Sequence, residues 1–284
     1  MHELPLVIFT LFMQASVGCL VITLLCYFRL FGGTDARTAM KWVRVPLVVS
    51  FLLGCAGLLG SLFHMGNPFH MFYTMLHVSD SWMSREVWAT AVYMALLFFS
   101  VALLLLKQKV NGFLLLLSAV AGLVYMYVMS ALYANTLFNL WGGLFTYTGF
   151  FGSVLLTGGM IAGLLLVTAL GYAREDVLIQ RVVKIALAAG VAGLLLILLS
   201  ALSLTGNIGE PIYAGMTPRV MPEGLLNLHI IRVVLIGLGM FFAGRLLCQK
   251  NAQVTNGTLM MALAVICVFA GEAVGRVVFF SLGG

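Results

Sequence analysis

The chain has 284 residues, of which 62% are hydrophobic and only 8% charged, with a mean hydropathy of +1.12. A soluble domain carries about a quarter charged residues, so this composition excludes a water-soluble enzyme and implies an integral membrane protein. The net charge of +6 comes without a basic stripe interleaved with aromatics; it argues against a nucleic-acid partner and reads as membrane orientation.

Eight continuous apolar runs are long enough to cross about 30 Å of hydrocarbon as helices. They cover residues 4–28, 45–63, 87–106, 113–133, 145–172, 182–204, 225–247 and 258–282. None shows the alternation of a barrel strand. The expected fold class is therefore an all-α integral membrane protein with eight transmembrane helices. Long loops at 64–86 and 205–224 follow the second and sixth spans. That spacing suggests two four-helix bundles, 1–133 and 134–284. The first span follows only Met1, His2 and Glu3, with no basic n-region or cleavage site, and is expected to be retained as an anchor.

Between spans one and two stand Arg29, Arg37, Lys41 and Arg44, and after span three Lys107 and Lys109. Arg174, Arg181 and Lys184 follow span five, and Arg245 and Lys250 follow span seven. The even-numbered loops hold only Arg85 and Arg219 against these eleven. The positive-inside rule then predicts both termini outside, in the periplasm of a bacterial inner membrane. The five cysteines, Cys19, Cys26, Cys55, Cys248 and Cys267, are scattered singly without a CxxC pair. No metal site or cofactor of its own is expected on this protein, and the cysteines read as packing residues.

The loop after span two is the richest in chemistry. "SLFHMGNPFHMFYTMLHVSDSWMSREVWA" at 61–89 holds three of the five histidines. Gly66, Asn67 and Pro68 end the second span. In "FHMFYTMLHV" the apolar Phe69, Phe72, Met75 and Leu76 fall at helical spacing opposite His70, Thr74 and His77, which predicts a short interfacial helix over the bundle. Ser79, Asp80, Ser81 and Ser84 supply turn and capping groups before the third span. His64 then stands at the outer end of span two and Glu86 in the outer first turn of span three.

Further ionisable residues reach the same leaflet: His229 and Arg232 open span seven, and Glu272 and Arg276 lie near the end of span eight. Charged groups within spans are costly and usually face a bundle interior, a cavity or one another. Glu272 and Arg276, four residues apart, are placed for an intrahelical ion pair; Arg232 is placed to pair with Glu272 or to reach the surface. Glu86 reads either as a complement to the helix dipole or as a base. A histidine and a carboxylate beside a roofed apolar pocket suit a lipid-soluble reductant that loses protons on oxidation, and a quinol is such a molecule. A proton-coupled secondary transporter uses similar groups and is the alternative, although its charges would sit nearer the midplane. A b-type cytochrome would need facing histidine pairs.

"HELPLVIFT" at 2–10, "HMGNPFHMF" at 64–72, "SREV" at 84–87, "IIRVVLI" at 230–236 and "GEAVGRVVFF" at 271–280 resemble the membrane anchor subunit of bacterial anaerobic dimethyl sulfoxide reductases, over essentially the whole chain. The resemblance implies a heterotrimer of anaerobic respiration. In it a molybdopterin catalytic subunit reduces an S-oxide or N-oxide, and a ferredoxin-like subunit carries four iron–sulfur clusters. The anchor holds both to the membrane and oxidises menaquinol as its substrate. It also implies catalytic roles for His64 and Glu86; Arg85, Arg232, Glu272 and Arg276, from their place at the same end of the spans, are the candidates for binding the quinol or supporting its site. The family's "HLGSP" is here "HMGNP", and Arg85 stands where asparagine is usual. A pair between Arg85 and Glu86 would turn the carboxylate into a structural anion.

Overall fold

The computed structural model describes residues 4–64, 71–136, 138–207, 224–248 and 254–282. Among them, eight helices are long and apolar enough to cross a membrane, at the eight expected places. In chain order the long helices are α1 (Leu4–Leu30), α2 (Ala36–His64), α4 (Trp82–Lys107), α5 (Gly112–Ala134), α6 (Leu144–Tyr172), α7 (Asp176–Asn207), α8 (Leu225–Arg245) and α9 (Val254–Ser281). A single turn, α3 (Met71–Thr74), lies between α2 and α4. The fold is thus that of a multi-pass membrane protein.

Two helices start well before their apolar runs. α2 begins at Ala36, where the Asp35 carboxylate accepts the backbone N–H groups of Arg37 and Thr38 at 3.1 and 3.2 Å. Its first turns carry charge yet bury Ala39, Met40, Trp42 and Val43, so an amphipathic extension prolongs the purely apolar span. α7 likewise starts at Asp176, whose charge suits a helix N-terminus. Hydropathy marks where lipid begins, whereas caps mark where the helix begins.

α1 and α6 are the two most enclosed spans. A side chain on Gly18 would lie 2.0 Å from the Val154 carbonyl oxygen and 2.8 Å from the Gly158 Cα, so the two backbones are in direct contact. Lipid provides no hydrophobic drive for helix association, and close backbone packing replaces it. Gly18→Ala should therefore lower stability by about 1–3 kcal/mol, read as a reduced thermal midpoint in detergent. Gly33→Ala, which meets nothing within 4 Å, should leave it unchanged.

Many buried hydroxyls of the spans are satisfied within their own helix, and others, such as Ser16 and Ser50, bond across to a neighbouring one. Thr10 donates to Leu6 O at 2.9 Å, Ser130 to Met126 O at 2.7 Å and Thr157 to Ser153 O at 2.7 Å. The outward faces carry exposed Phe98, Phe99, Leu195 and Ile266, as a lipid-facing surface requires.

Candidate functional site

The loop before α4 is fastened by α4 itself. Ser81 is its N-cap, and the Ser81 hydroxyl accepts from the Ser84 N–H at 3.4 Å. Side chains of the first two turns then reach back to loop carbonyls. The Ser84 hydroxyl donates to Thr74 O. Arg85 Nε donates to Val78 O at 2.9 Å and its Nη2 to Ser79 O at 2.5 Å. Trp88 Nε1 donates to Met75 O at 3.2 Å. The Arg85 guanidinium also lies 4.4 Å from the Trp82 ring centroid, within cation–π range. Bonds to main-chain carbonyls hold the loop whatever its side chains are.

The pair between Arg85 and Glu86 that the sequence left open is not among the ion pairs of the described residues: Arg85 Nε and Nη2 are turned to the loop. The expected interfacial helix is also shorter than its apolar spacing suggested. Its helical part among the described residues is Met71–Thr74, followed by turns through Asp80. Clipping the carbonyls of Thr74 and Met75 to α4 side chains takes away acceptors that a continuing helix would use.

Beneath the loop, Glu86 points inward. It is 9% exposed, and its Oε1 is buried with no hydrogen-bond partner among the described residues. It lines a cavity of about 240 Å³ whose other walls are Phe9 of α1, Leu58 of α2, Met75 of the loop, and Val87, Thr90, Ala91 and Met94 of α4. The Thr90 hydroxyl is taken by Glu86 O at 2.7 Å and does not serve the carboxylate. Tyr125, on α5, is fully buried behind this wall, stacked on Tyr93 at 6.0 Å, and its hydroxyl also lacks a partner. Tyr93 is anchored, its hydroxyl 2.7 Å from Ser16 Oγ. A buried carboxylate oxygen left without a partner in an apolar recess is costly. That is the kind of group a ligand with a polar head would satisfy.

α2 ends at His64, six residues beyond Leu58, which places its backbone about 9 Å further along the axis at the loop end. His70, like His2 and Glu3, lies outside the described residues, and His77 is exposed.

Arg232, Glu272 and Arg276 form a separate buried group. Arg232 Nη2 donates to both Glu272 oxygens at 3.0 and 2.9 Å, and Nε adds a bond to Oε1 at 3.3 Å. Glu272 is fully buried and also accepts from the Ser153 hydroxyl of α6. Arg276 Nη2 donates to Ser153 Oγ at 2.8 Å and approaches Gly149 O at 3.4 Å. Its guanidinium lies 4.1 Å from the Phe150 centroid. The intrahelical Glu272–Arg276 ion pair is therefore replaced by a cross-helix pair, with Ser153 linking Arg276 to the same carboxylate. Gly275 explains the choice: a Cβ there would stand 2.5 Å from Arg232 Cζ, so its absence lets Arg232 lie across α9. Trp141, Phe145, Phe150, Phe279 and Phe280 pack around this end, with Trp141 and Phe279 stacked at 5.0 Å.

None of these three residues lines the Glu86 cavity among its described walls, and the hydrogen bonds of the two groups share no residue. His229 is apart again. Its Nε2 is buried without a partner among the described residues, beside a cavity of about 430 Å³ between α7 and α8. The sequence reading missed Ser84 and Trp88 as loop fasteners, Tyr125 as a buried hydroxyl and Ser153 as the bridge. Polar or aromatic residues inside apolar runs were the only signal they gave.

Among the described residues no group of three or more His, Cys, Asp or Glu is arranged to hold a metal ion. The family model of the DMSO reductase anchor subunit (DmsC) matches residues 1–282. The sequence is 28% identical over 285 residues to the anaerobic dimethyl sulfoxide reductase protein YnfH of Escherichia coli (strain K12), covering 99% of this protein and 95% of that one. It is 27% identical to the C subunit of the anaerobic dimethyl sulfoxide reductase of Haemophilus influenzae and 24% identical to the C subunit of the Escherichia coli enzyme, with the same coverage of 99% and 95%.

Proposed function

Because the chain belongs to the DMSO reductase anchor subunit family, we propose that it is the quinol-oxidising subunit of its complex, with Glu86 and His64 at the site of oxidation. The observation that carries this reading is the Glu86 carboxylate, its buried Oε1 without a hydrogen-bond partner among the described residues, facing an apolar cavity beneath the loop near the end of α2. The apolar walls suit a quinone ring, and the gap between α2 and α4 suits its isoprenoid tail.

Menaquinol loses two electrons and two protons to become menaquinone. His64 accepts one hydroxyl proton, and Glu86 takes the second or relays it to water. With eleven of the loop cations at the opposite ends of the spans, the protons leave on the periplasmic side. Both electrons pass to an iron–sulfur cluster of a ferredoxin-like partner and from there to a molybdopterin subunit that reduces an S-oxide or N-oxide. The anchor supplies binding, orientation and proton acceptance, and the metal chemistry belongs to its partners. Arg85 serves by holding the loop over the cavity. Arg232, Glu272 and Arg276 support the site from a distance, by fixing α6, α8 and α9 to one another.

The test uses the assembled complex. His64→Ala should lower menaquinol-analogue oxidation by about ten-fold or more while reductase activity with an artificial donor and subunit assembly stay at wild-type levels. Unchanged quinol turnover would remove His64 from the site. Loss of both activities would instead mean a failure of assembly.

A further inference from the structure

At the far end of the bundle, Arg29 of α1 and Arg181 and Lys184 of α7 converge on one cavity of about 560 Å³, lined also by Leu25, Leu30 and Ile185. We propose that this cavity is a binding site for the phosphodiester head of an anionic phospholipid.

The two helices that supply the cations are about 150 residues apart in sequence, so no local pattern groups these charges; the fold does. Asp35, Glu175 and Asp176 stand at the same end of the bundle, but among the described residues none of them makes an ion pair with Arg29, Arg181 or Lys184. Their order along the helices matters as well. α1 runs toward this end, with Leu25 one turn deeper than Arg29; α7 runs away from it, with Ile185 one turn deeper than Arg181. Arg29 and Arg181 therefore stand on the water side of Leu25 and Ile185, with the flexible Lys184 side chain able to reach up beside them, which is the profile of a lipid head above its acyl chains. An acidic peptide would match the charges and leave the aliphatic floor unused. The site is remote from Glu86. Phe9 lines that cavity and Leu25 this one, which separates them by about 24 Å along α1. The proposal is independent of the quinol reading.

The test uses the full-length protein purified in detergent and mixed separately with cardiolipin, phosphatidylglycerol, phosphatidylcholine or inorganic phosphate. Native mass spectrometry and the thermal midpoint are the readouts. The two anionic lipids should be retained and raise the midpoint, while phosphatidylcholine and phosphate should do neither. Arg29→Gln, Arg181→Gln and Lys184→Gln should each weaken retention on the order of five-fold. Arg181→Lys should keep most of it. Lys107→Gln, which loses the same charge at the same end of the bundle outside this cavity, should leave retention unchanged. Equal stabilisation by inorganic phosphate would overturn the lipid assignment in favour of a free-anion site. Equal retention by the Gln variants would overturn the site itself. If Arg181→Gln released a soluble subunit from the complex while lipid retention held, the face would be a protein contact.

Discussion

Menaquinol-dependent turnover of the complex carrying Glu86→Gln is expected to fall by about 10²- to 10⁴-fold, the range attributed to a positioned acid or base. Glutamine has nearly the volume of glutamate, so the cavity beneath the loop keeps its shape, and Thr90 still bonds the backbone carbonyl of residue 86. What disappears is the capacity of the side chain to take and pass a proton. The competing account gives Glu86 only a dipole role at the start of α4. That account predicts unchanged turnover and inhibitor affinity, with a loss of about 0.3–1 kcal/mol in stability. Steady-state oxidation of a menaquinol analogue, run beside thermal unfolding of the same preparation, separates the two. The structure sharpens the comparison because Arg85, the nearest cation in sequence, donates to Val78 O and Ser79 O. Glu86 therefore has no adjacent arginine to neutralise it.

The second large effect concerns stability. Glu272→Ala removes the one carboxylate between two arginines that are 6% and 2% exposed, and should cost about 3–5 kcal/mol. The thermal midpoint of the purified protein should drop on the order of 10 °C. The cost comes from Arg232 losing its bidentate partner and Arg276 keeping only neutral groups, Ser153 Oγ, Gly149 O and the Phe150 and Phe279 rings, around its charge. Replacing both Arg232 and Glu272 by leucine should be less damaging than Glu272→Ala alone, since the isolated charge, more than the missing pair, carries the penalty. A Glu272→Ala protein as stable as wild type would mean that water or lipid head groups already neutralise the arginines. Because this group shares no residue with the Glu86 cavity, its variants should impair quinol turnover mainly in proportion to lost assembly.

The positions of the eight helices were legible in the sequence because span hydrophobicity is a local sum, and each run is long enough to decide the matter unaided. Helix starts were less legible. The charged first turns of α2 and α7 contribute little to hydropathy, yet are held by Asp35 and Asp176. Of the site, Glu86 was visible as a carboxylate in the first turn of a span, and the end of α2 at His64 was visible from the Gly66-Asn67-Pro68 stop. The direction of Arg85 was not. An arginine next to a glutamate in sequence occupies a different face of the helix, and its partner was settled by the loop packed against it.

The amino-acid sequence by itself determined a membrane protein of eight helices whose few ionisable residues within the spans, Glu86, His229, Arg232, Glu272 and Arg276, stand toward one end of them. Those properties follow from composition and from the order of residues along a single element. Tertiary structure alone decided which charges meet. Helical periodicity offered Glu272 the neighbour Arg276 four residues away, but the fold gave it Arg232 from another helix, across the gap that Gly275 leaves open. The same holds for Arg29, Arg181 and Lys184. Rotation and register between helices are set by packing over long sequence separations, and no local pattern carries that information.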